Sequence, residues 1–489
     1  MIIFGFDREM FLQQSGLSLV PGPVEKLGVV LEADRPSDVG AVSNFAGTMV
    51  RLDDGRWRMY YSVHCWKPRA LGIAVAESSD GLHWTKSGLG QMRLEGQDTN
   101  RLVIEGLYDN ADIIQPQVVR LPDGRWRMYF WLHGQSQGMV RYLIAESADG
   151  LRWKCLGLDR VAIFHPADRE VGQSGWAAGL TAASPDDKFG HLRTLDWMVA
   201  KRMRSNDATY VYYDAERRLF EMYSVWLLPN SPETRRYTPH DNAPKVLRTI
   251  HRRVSEDGLT WSAPELLITP DAHDPLDIQF YYLSMHREPG WRIGFIGHYR
   301  VWEQTMDIEL CLSRDGRHWR RPLRGGWIPR DPVPGLGCMA AYATNDLLDA
   351  GDRWLMLYTA GNSKHNHQLP PGVEKRWVGV MAAAIPKNRF AGLAAKPRTV
   401  ARLTLKPFIP TAPEIRVDAD VKGCLRAELL DPFGMPLPGY ELAGSVPIQG
   451  DAADHILRWE GGKTTAPYQF DAVSLRLEMS GATLYALHI

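Results

Sequence analysis

The chain has 489 residues, 44% of them hydrophobic, and its 57 basic side chains are balanced by 57 acidic ones. That is more than one compact core usually holds, so a large domain and a smaller one are expected. Zero formal charge removes the electrostatic argument for a nucleic-acid or anionic-membrane partner and leaves a small neutral substrate as the better fit.

The N-terminal "MIIFGFDREMF" has no basic segment followed by a long apolar one, and no later run is apolar enough to span a bilayer, which predicts a cytoplasmic protein. The five cysteines, Cys65, Cys155, Cys311, Cys338 and Cys424, are scattered, odd in number and without Cys-x-x-Cys spacing. They suit a reducing compartment and give neither a disulfide framework nor a zinc site.

Repeats then organise most of the chain. "RLDDGRWRMYYSVH" (51–64) returns as "RLPDGRWRMYFWLH" (120–133), "AERRLFEMYSVWL" (215–227), "REPGWRIGFIGH" (287–298) and "LDAGDRWLMLYTAG" (348–361). With Trp57, Trp126, Phe220, Trp291 and Trp354 as equivalent anchors, the spacings are 69, 94, 71 and 63 residues. Each interval holds about four short strands, and five anchors predict an all-β, five-bladed β-propeller. The long second spacing places a loop-like insertion near 154–200.

A second motif follows each of the first four anchors: "ESSDGLHW" (77–84), "ESADGLRW" (146–153), "VSEDGLTW" (254–261) and "LSRDGRHW" (312–319). Each copy comes after an alternating segment, so the Asp-Gly pair falls where a strand pair turns. The motif reads as structural: Ser bonds the local backbone, Gly accepts positive φ, and Trp supplies apolar surface for the next layer. It is similar to the Asp-box of sialidase propellers, with one residue fewer between Asp and Gly. The fifth repeat lacks it and ends in "VGVMAAAIPKNRF" (378–390).

After about residue 400 the anchors stop, and short alternating strands parted by Pro and Gly suggest a β-sandwich. The expected division is therefore a propeller over 1–395 and a sandwich over 400–489, parted in "GLAAKPR" (392–398).

Chemistry is sought at the mouth of the propeller channel, where the inner strands begin. Fourteen residues before the anchors stand Ser43, Asp112, Asn206, Asp277 and Ala340; seven after stand His64, His133, Leu227, His298 and Gly361. Hairpin register puts Asp112 across from His133 and Asp277 across from His298. "DNADI" (109–113) and "HDPLDI" (273–278) both read Asp-x-x-Asp-Ile, which adds Asp109 and Asp274. Two carboxylates flanking a pocket are what glycoside hydrolysis needs, one as acid and one as nucleophile or base. Asp112 and Asp277 are the leading pair, with Glu303 and Asp207 as further catalytic candidates. His64, His133 and His298 either orient carboxylates and sugar hydroxyls or converge on the axis to hold one divalent metal ion. Arg300, His365, Trp66 and Trp131 complete the substrate-binding candidates, the tryptophans by stacking on sugar rings.

At these residues the chain resembles the furanosidase-type propellers of glycoside hydrolase families 32 and 43, and bacterial proteins similar to the family 32 N-terminal domain. The resemblance is carried by "GTMVRLDDGRWRMYYS" (47–62), "DPLDIQFY" (274–281), "LSRDGRHWRRP" (312–322) and "LRAELLDPFGMPLPGYELAGSVPIQGD" (425–451). It implies a sugar-binding funnel with three acidic residues from the early inner strands. The blade-one nucleophile of family 32 is missing, since "VSNFAGTM" (42–49) offers Ser43 and Asn44, with Asp38 a nearby substitute. The expected function is a glycoside hydrolase acting on a small carbohydrate. A carbohydrate-binding propeller without turnover and a metal-assisted sugar lyase or isomerase are the alternatives.

Overall fold

The structure is a computed structural model that describes residues 2–35, 38, 40–66, 69–134, 139–164, 168, 208–229, 241, 246–330 and 339–489. Apart from short 3-10 turns, every regular element among these residues is a β-strand. Contacts divide the chain into two units, one of residues 26–351 and 355–384, the other of 1–25, 352–354 and 385–489.

The larger unit is a β-propeller whose described strands fall into consecutive antiparallel groups, the last two joined into one sheet through a parallel pairing of Met306 with Ala340. The first blade contains Gly40–Arg51, Trp57–Trp66 and Arg69–Ser78; the second Ile113–Arg120, Trp126–Gly134, Met139–Ser147 and Trp153–Cys155. Thr209–Asp214, Leu219–Pro229, Val246–Ser255 and Glu265–Ile268 make the third, and Ile278–Glu288, Trp291–Arg300 and Thr305–Ser313 the fourth. The fifth contains Ala340–Asp349, Arg353–Gly361 and Val378–Pro386. Each inner strand packs on its two neighbours, the first on the fifth, so the inner strands close a ring. The outer strand of the last blade is Glu25–Leu31, which pairs with Val378–Pro386. A single strand with neither anchor nor turn carries no repeat signal, which is why the sequence does not reveal this closure.

The Asp-Gly turns show why their motif recurs. In all four copies the Gly N–H donates to the Ser Oγ at 2.8–2.9 Å, and the Asp Oδ1 accepts the next two backbone N–H groups at 2.8 Å. The second, third and fourth turns are also gripped by the preceding blade: Tyr60 donates to the Gly150 carbonyl at 2.7 Å, Tyr129 to that of Gly258 at 2.7 Å and Tyr223 to that of Gly316 at 3.3 Å. Arg58 and Arg127 donate to the carbonyls of Asp149 and Asp257 beside them. Glycine is required twice over. Gly258 has φ +70°, and a Cβ there would stand 2.6 Å from the Tyr129 hydroxyl. The turn is thus a clasp between blades, and its aspartates are structural.

Register departs from the repeat count in two blades. Asp112 does lie across from His133, whose backbone N–H donates to its carbonyl at 2.8 Å. Asp277 instead faces Val301, which makes the equivalent bond at 2.9 Å, while His298 faces Phe280. The cause is turn length: Arg120 pairs with Trp126, but Glu288 pairs with Trp291, so counting back from the anchor lands three residues away. In the first blade a bulge between Ser43 and Thr48 sets Ser43 opposite Ser62 and His64 opposite Ala41.

The smaller unit gathers Ile2–Phe4, Phe11–Ser15 and Leu17–Pro21 with the strands after residue 390. The sequence reading places those N-terminal residues in the propeller; their pairing is with Ser474–His488, Ala401–Leu405 and Ala391–Ala395. All eight strands here are hydrogen-bonded into one sheet, because Arg416–Leu430 and Ser474–His488, fifteen residues each, pair along their length and shift register at bulges such as Val421/Cys424. Leu403, Leu425, Trp459 and Leu477 lie in its buried core.

Candidate functional site

Bulges in the inner strands build a cavity in the propeller. The ladder slips between Ser43 and Thr48, between Ile114 and Gln117, and between Phe280 and Leu283. Ala46 and Gln115 adopt left-handed backbone there, with φ 45° and 57°. Other blades hold both: the Ala46 N–H donates to the Tyr210 hydroxyl of the third blade at 3.1 Å, and that of Gln115 to Ser62 Oγ of the first at 2.9 Å. Such strain clusters where a site needs side chains re-aimed. The resulting cavity has a volume of about 280 Å³ and is lined from the first, second, fourth and fifth blades.

Three kinds of group meet on its wall. Phe45, Tyr281 and Tyr342 form an aromatic cluster, the Phe45 and Tyr342 ring centres 4.8 Å apart. Ser43, Ser62, Thr359 and Ser363 present hydroxyls. His64, His365, His367, Lys364 and Arg376 supply imidazoles and cations, and the described lining residues include no Asp or Glu. An adjoining cavity of about 630 Å³ shares Arg376 and Val378 and has mixed charge, with Glu32, Asp34 and Glu95 facing Arg35 and Lys375.

Behind the wall runs a buried polar relay. The Tyr281 hydroxyl lies 2.9 Å from His365 Nε2, and His365 Nδ1 lies 3.2 Å from the Tyr299 hydroxyl. Tyr299 donates to Asp241 at 2.7 Å, and Asp241 pairs at 2.7 Å with Arg248; both partners of that ion pair are fully buried. Because the one Tyr299 proton goes to the carboxylate, Tyr299 accepts from Nδ1–H, and Nε2 is left to accept the Tyr281 proton. Burial pulls the His365 pKa down to about 3, further than the Asp241 charge can raise it, so the ring is neutral. Burial alone would raise Asp241, but the Arg248 guanidinium together with His365 and the Tyr299 hydrogen bond outweighs it and holds the carboxyl at about 2.

The structure distributes the sequence candidates unevenly. His64 and His365 line the cavity. Asp112 is half-buried and accepts the Leu71 N–H at 3.0 Å, capping the neighbouring blade. Asp277, 1% exposed, accepts from Arg300 at 2.8 Å. Asp274 is held by Arg321 through two bonds of 2.7 Å, whereas Asp109 is exposed. Glu303 is an exposed carboxylate 3.8 Å from Arg300 and 3.7 Å from Arg330. Trp131 is fully buried against Tyr142, so its ring belongs to the core between strands and is closed to a sugar. Asp207 and the Trp66 side chain fall outside what is described.

The three histidines considered for a metal do not share a site. His64 is on the cavity wall, His133 beside Asp112, and His298 is buried with Nε2 3.8 Å from Glu309. The displaced blade-four register takes His298 out of the repeat position that His133 occupies. Among the described residues no group of three or more His, Cys, Asp and Glu is placed to hold a metal ion.

No protein-family model matches the chain. An uncharacterised Mycobacterium tuberculosis protein, Rv1502, is 33% identical over 112 residues, which are 22% of this chain and 32% of that relative. The chain thus spans about a third of the length of the curated relatives it matches. Among solved structures, a thermostable family-43 glycoside hydrolase aligns with a TM-score of 0.40 and 11% identity over 71% of this chain and 91% of its own. A glycosyl hydrolase from Bacteroides ovatus aligns with 0.42 and 11% over 74% and 94%. An N-acetylgalactosamine deacetylase from F. plautii, in complex with blood group B trisaccharide, aligns with 0.45 and 14% over 77% and 97%.

Tyr281, Tyr342, Arg376 and the Asp241–Arg248 pair are absent from the sequence candidates. "QFYYLS" (279–284) reads as a core strand, and nothing in it separates the cavity-lining Tyr281 from the fully buried Tyr282. The bulge makes that distinction.

Proposed function

We propose that this protein is carbohydrate-active and takes a glycoside into the propeller cavity, where Tyr281, oriented by His365, positions the reacting sugar. The observation that carries this reading is the 2.9 Å contact between the cavity-facing phenol and a buried neutral imidazole anchored through Tyr299 to Asp241. The Tyr281 proton points to the neutral His365 Nε2, which leaves the Tyr281 oxygen to accept a hydrogen bond from a sugar hydroxyl and fix the sugar in the cavity. The relay through Tyr299 to Asp241 fixes the direction of Nε2 in His365, which burial keeps neutral. Phe45 and Tyr342 offer faces for stacking on a sugar ring, and the surrounding hydroxyls offer hydrogen-bond partners.

Glycoside hydrolysis by Asp112 and Asp277 is the competing catalytic assignment, supported by their shared position at the start of two inner strands. Binding without turnover is a second reading, favoured by the lack of a carboxylate among the described lining residues. Turnover of a panel of aryl glycosides and oligosaccharides by Tyr281→Phe separates these readings. The positioning role predicts a loss of about a hundredfold in kcat with sugar binding retained. Unchanged kcat would remove Tyr281 from the chemistry.

A further inference from the structure

The chain as a whole is neutral, with 57 charges of each sign, yet the cavity wall is not. Lys364 and Arg376 face it together with His64, His365 and His367, and no carboxylate stands among the described lining residues. From this concentration of cations and imidazoles we infer that the cavity recognises an acidic sugar, a uronic acid or a glycoside bearing one, with the sugar carboxylate held by Arg376 and Lys364. The inference rests on the reading of the cavity as a carbohydrate site and narrows its ligand. It also departs from the neutral substrate that the overall charge suggests.

Two features favour a carboxylate on a sugar over a bare inorganic anion. The volume of about 280 Å³ equals roughly nine waters at their ~30 Å³ share of liquid, far more than one small anion fills. The rest of the wall is aromatic and hydroxyl-bearing, which suits a ring with several hydroxyls. A guanidinium matches a planar carboxylate through two parallel hydrogen bonds, and an ammonium adds a point charge. Burial lowers the Arg376 pKa, so an incoming anion meets a partly desolvated cation. Arg376 also lines the adjoining cavity, which places it at the junction through which a longer glycoside would continue.

Titration calorimetry of the full chain with glucuronate and galacturonate, their neutral counterparts glucose and galactose, and inorganic phosphate tests this. At least one uronate is expected to bind about tenfold or more tightly than its neutral counterpart, with an affinity that weakens as salt is raised. Arg376→Gln and Lys364→Gln should each erase the preference with melting unchanged, and Arg376→Lys should restore part of it. Should Arg376→Gln fail to fold, Lys364→Gln alone still decides. Neutral sugars binding as tightly as uronates would overturn the inference and leave the carbohydrate site standing. Phosphate binding more tightly than any uronate would assign the cations to an inorganic anion instead. Binding of no sugar at all would overturn both readings.

Discussion

Tyr281 and Tyr282 are neighbours in sequence and opposites in use. Tyr282 donates to the Ala341 carbonyl at 3.4 Å and accepts the Ala343 N–H at 2.8 Å, so it ties two blades together, while Tyr281 faces the cavity. The repeat count locates His64, and the histidine-rich "SKHNHQ" points to His365 without any model of the fold. It cannot find Asp241, which lies outside every repeat, nor foresee that Asp277 is committed to Arg300. The same kinetic assay that tests Tyr281 weighs the carboxylates. Asp112→Asn and Asp277→Asn are expected to lower stability by about 1–3 kcal/mol, through a weakened cap and a half-buried guanidinium without its anion, and to leave kcat per folded molecule near normal. A hundredfold loss of kcat at unchanged melting would restore them as the catalytic pair.

Strands and turns were the most legible level, because hydrophobic anchors and Asp-Gly turns report period directly. What they omit is local: a two-residue turn at Pro289–Gly290 shifts one blade by three positions, and bulges at Ala46 and Gln115 re-aim the residues that line the cavity. The clasps make a stability prediction at this scale. Tyr129→Phe leaves the buried Gly258 carbonyl without its phenol donor and should cost about 1–2 kcal/mol in chemical denaturation, with ligand binding intact. A cost near zero would mean that Arg127 alone holds the turn.

A second inter-strand contact is pH-sensitive. His286 on the fourth inner strand lies 2.6 Å from Asp346 on the fifth and 3.5 Å from Glu288; burial would lower its pKa, but Asp346 and, after it, Glu288 together outweigh it and raise it to about 9. A raised histidine stabilises fully below its unfolded value of about 6.5, and that contribution fades as pH climbs through about 9. Wild type should therefore lose stability across this window relative to Asp346→Asn. Parallel curves for the two proteins would show that the contact carries no linkage.

At the scale of the molecule, the propeller is held by repeated clasps and closed by a strand from before the first blade. Such a ring places groups from four blades around one cavity without any of them being adjacent in sequence. That explains how the fold could be read from periodicity while the site could be read only in part. The central claim is that this cavity holds the sugar. It is tested most directly by a crystal structure of the protein with a bound uronate or uronate-containing oligosaccharide. The account predicts a sugar ring against Phe45 and Tyr342, a reacting position within hydrogen-bond reach of the Tyr281 hydroxyl, and the carboxylate on Arg376. Density for the sugar beside Asp277 and Glu303, with this cavity filled only by solvent, would contradict it.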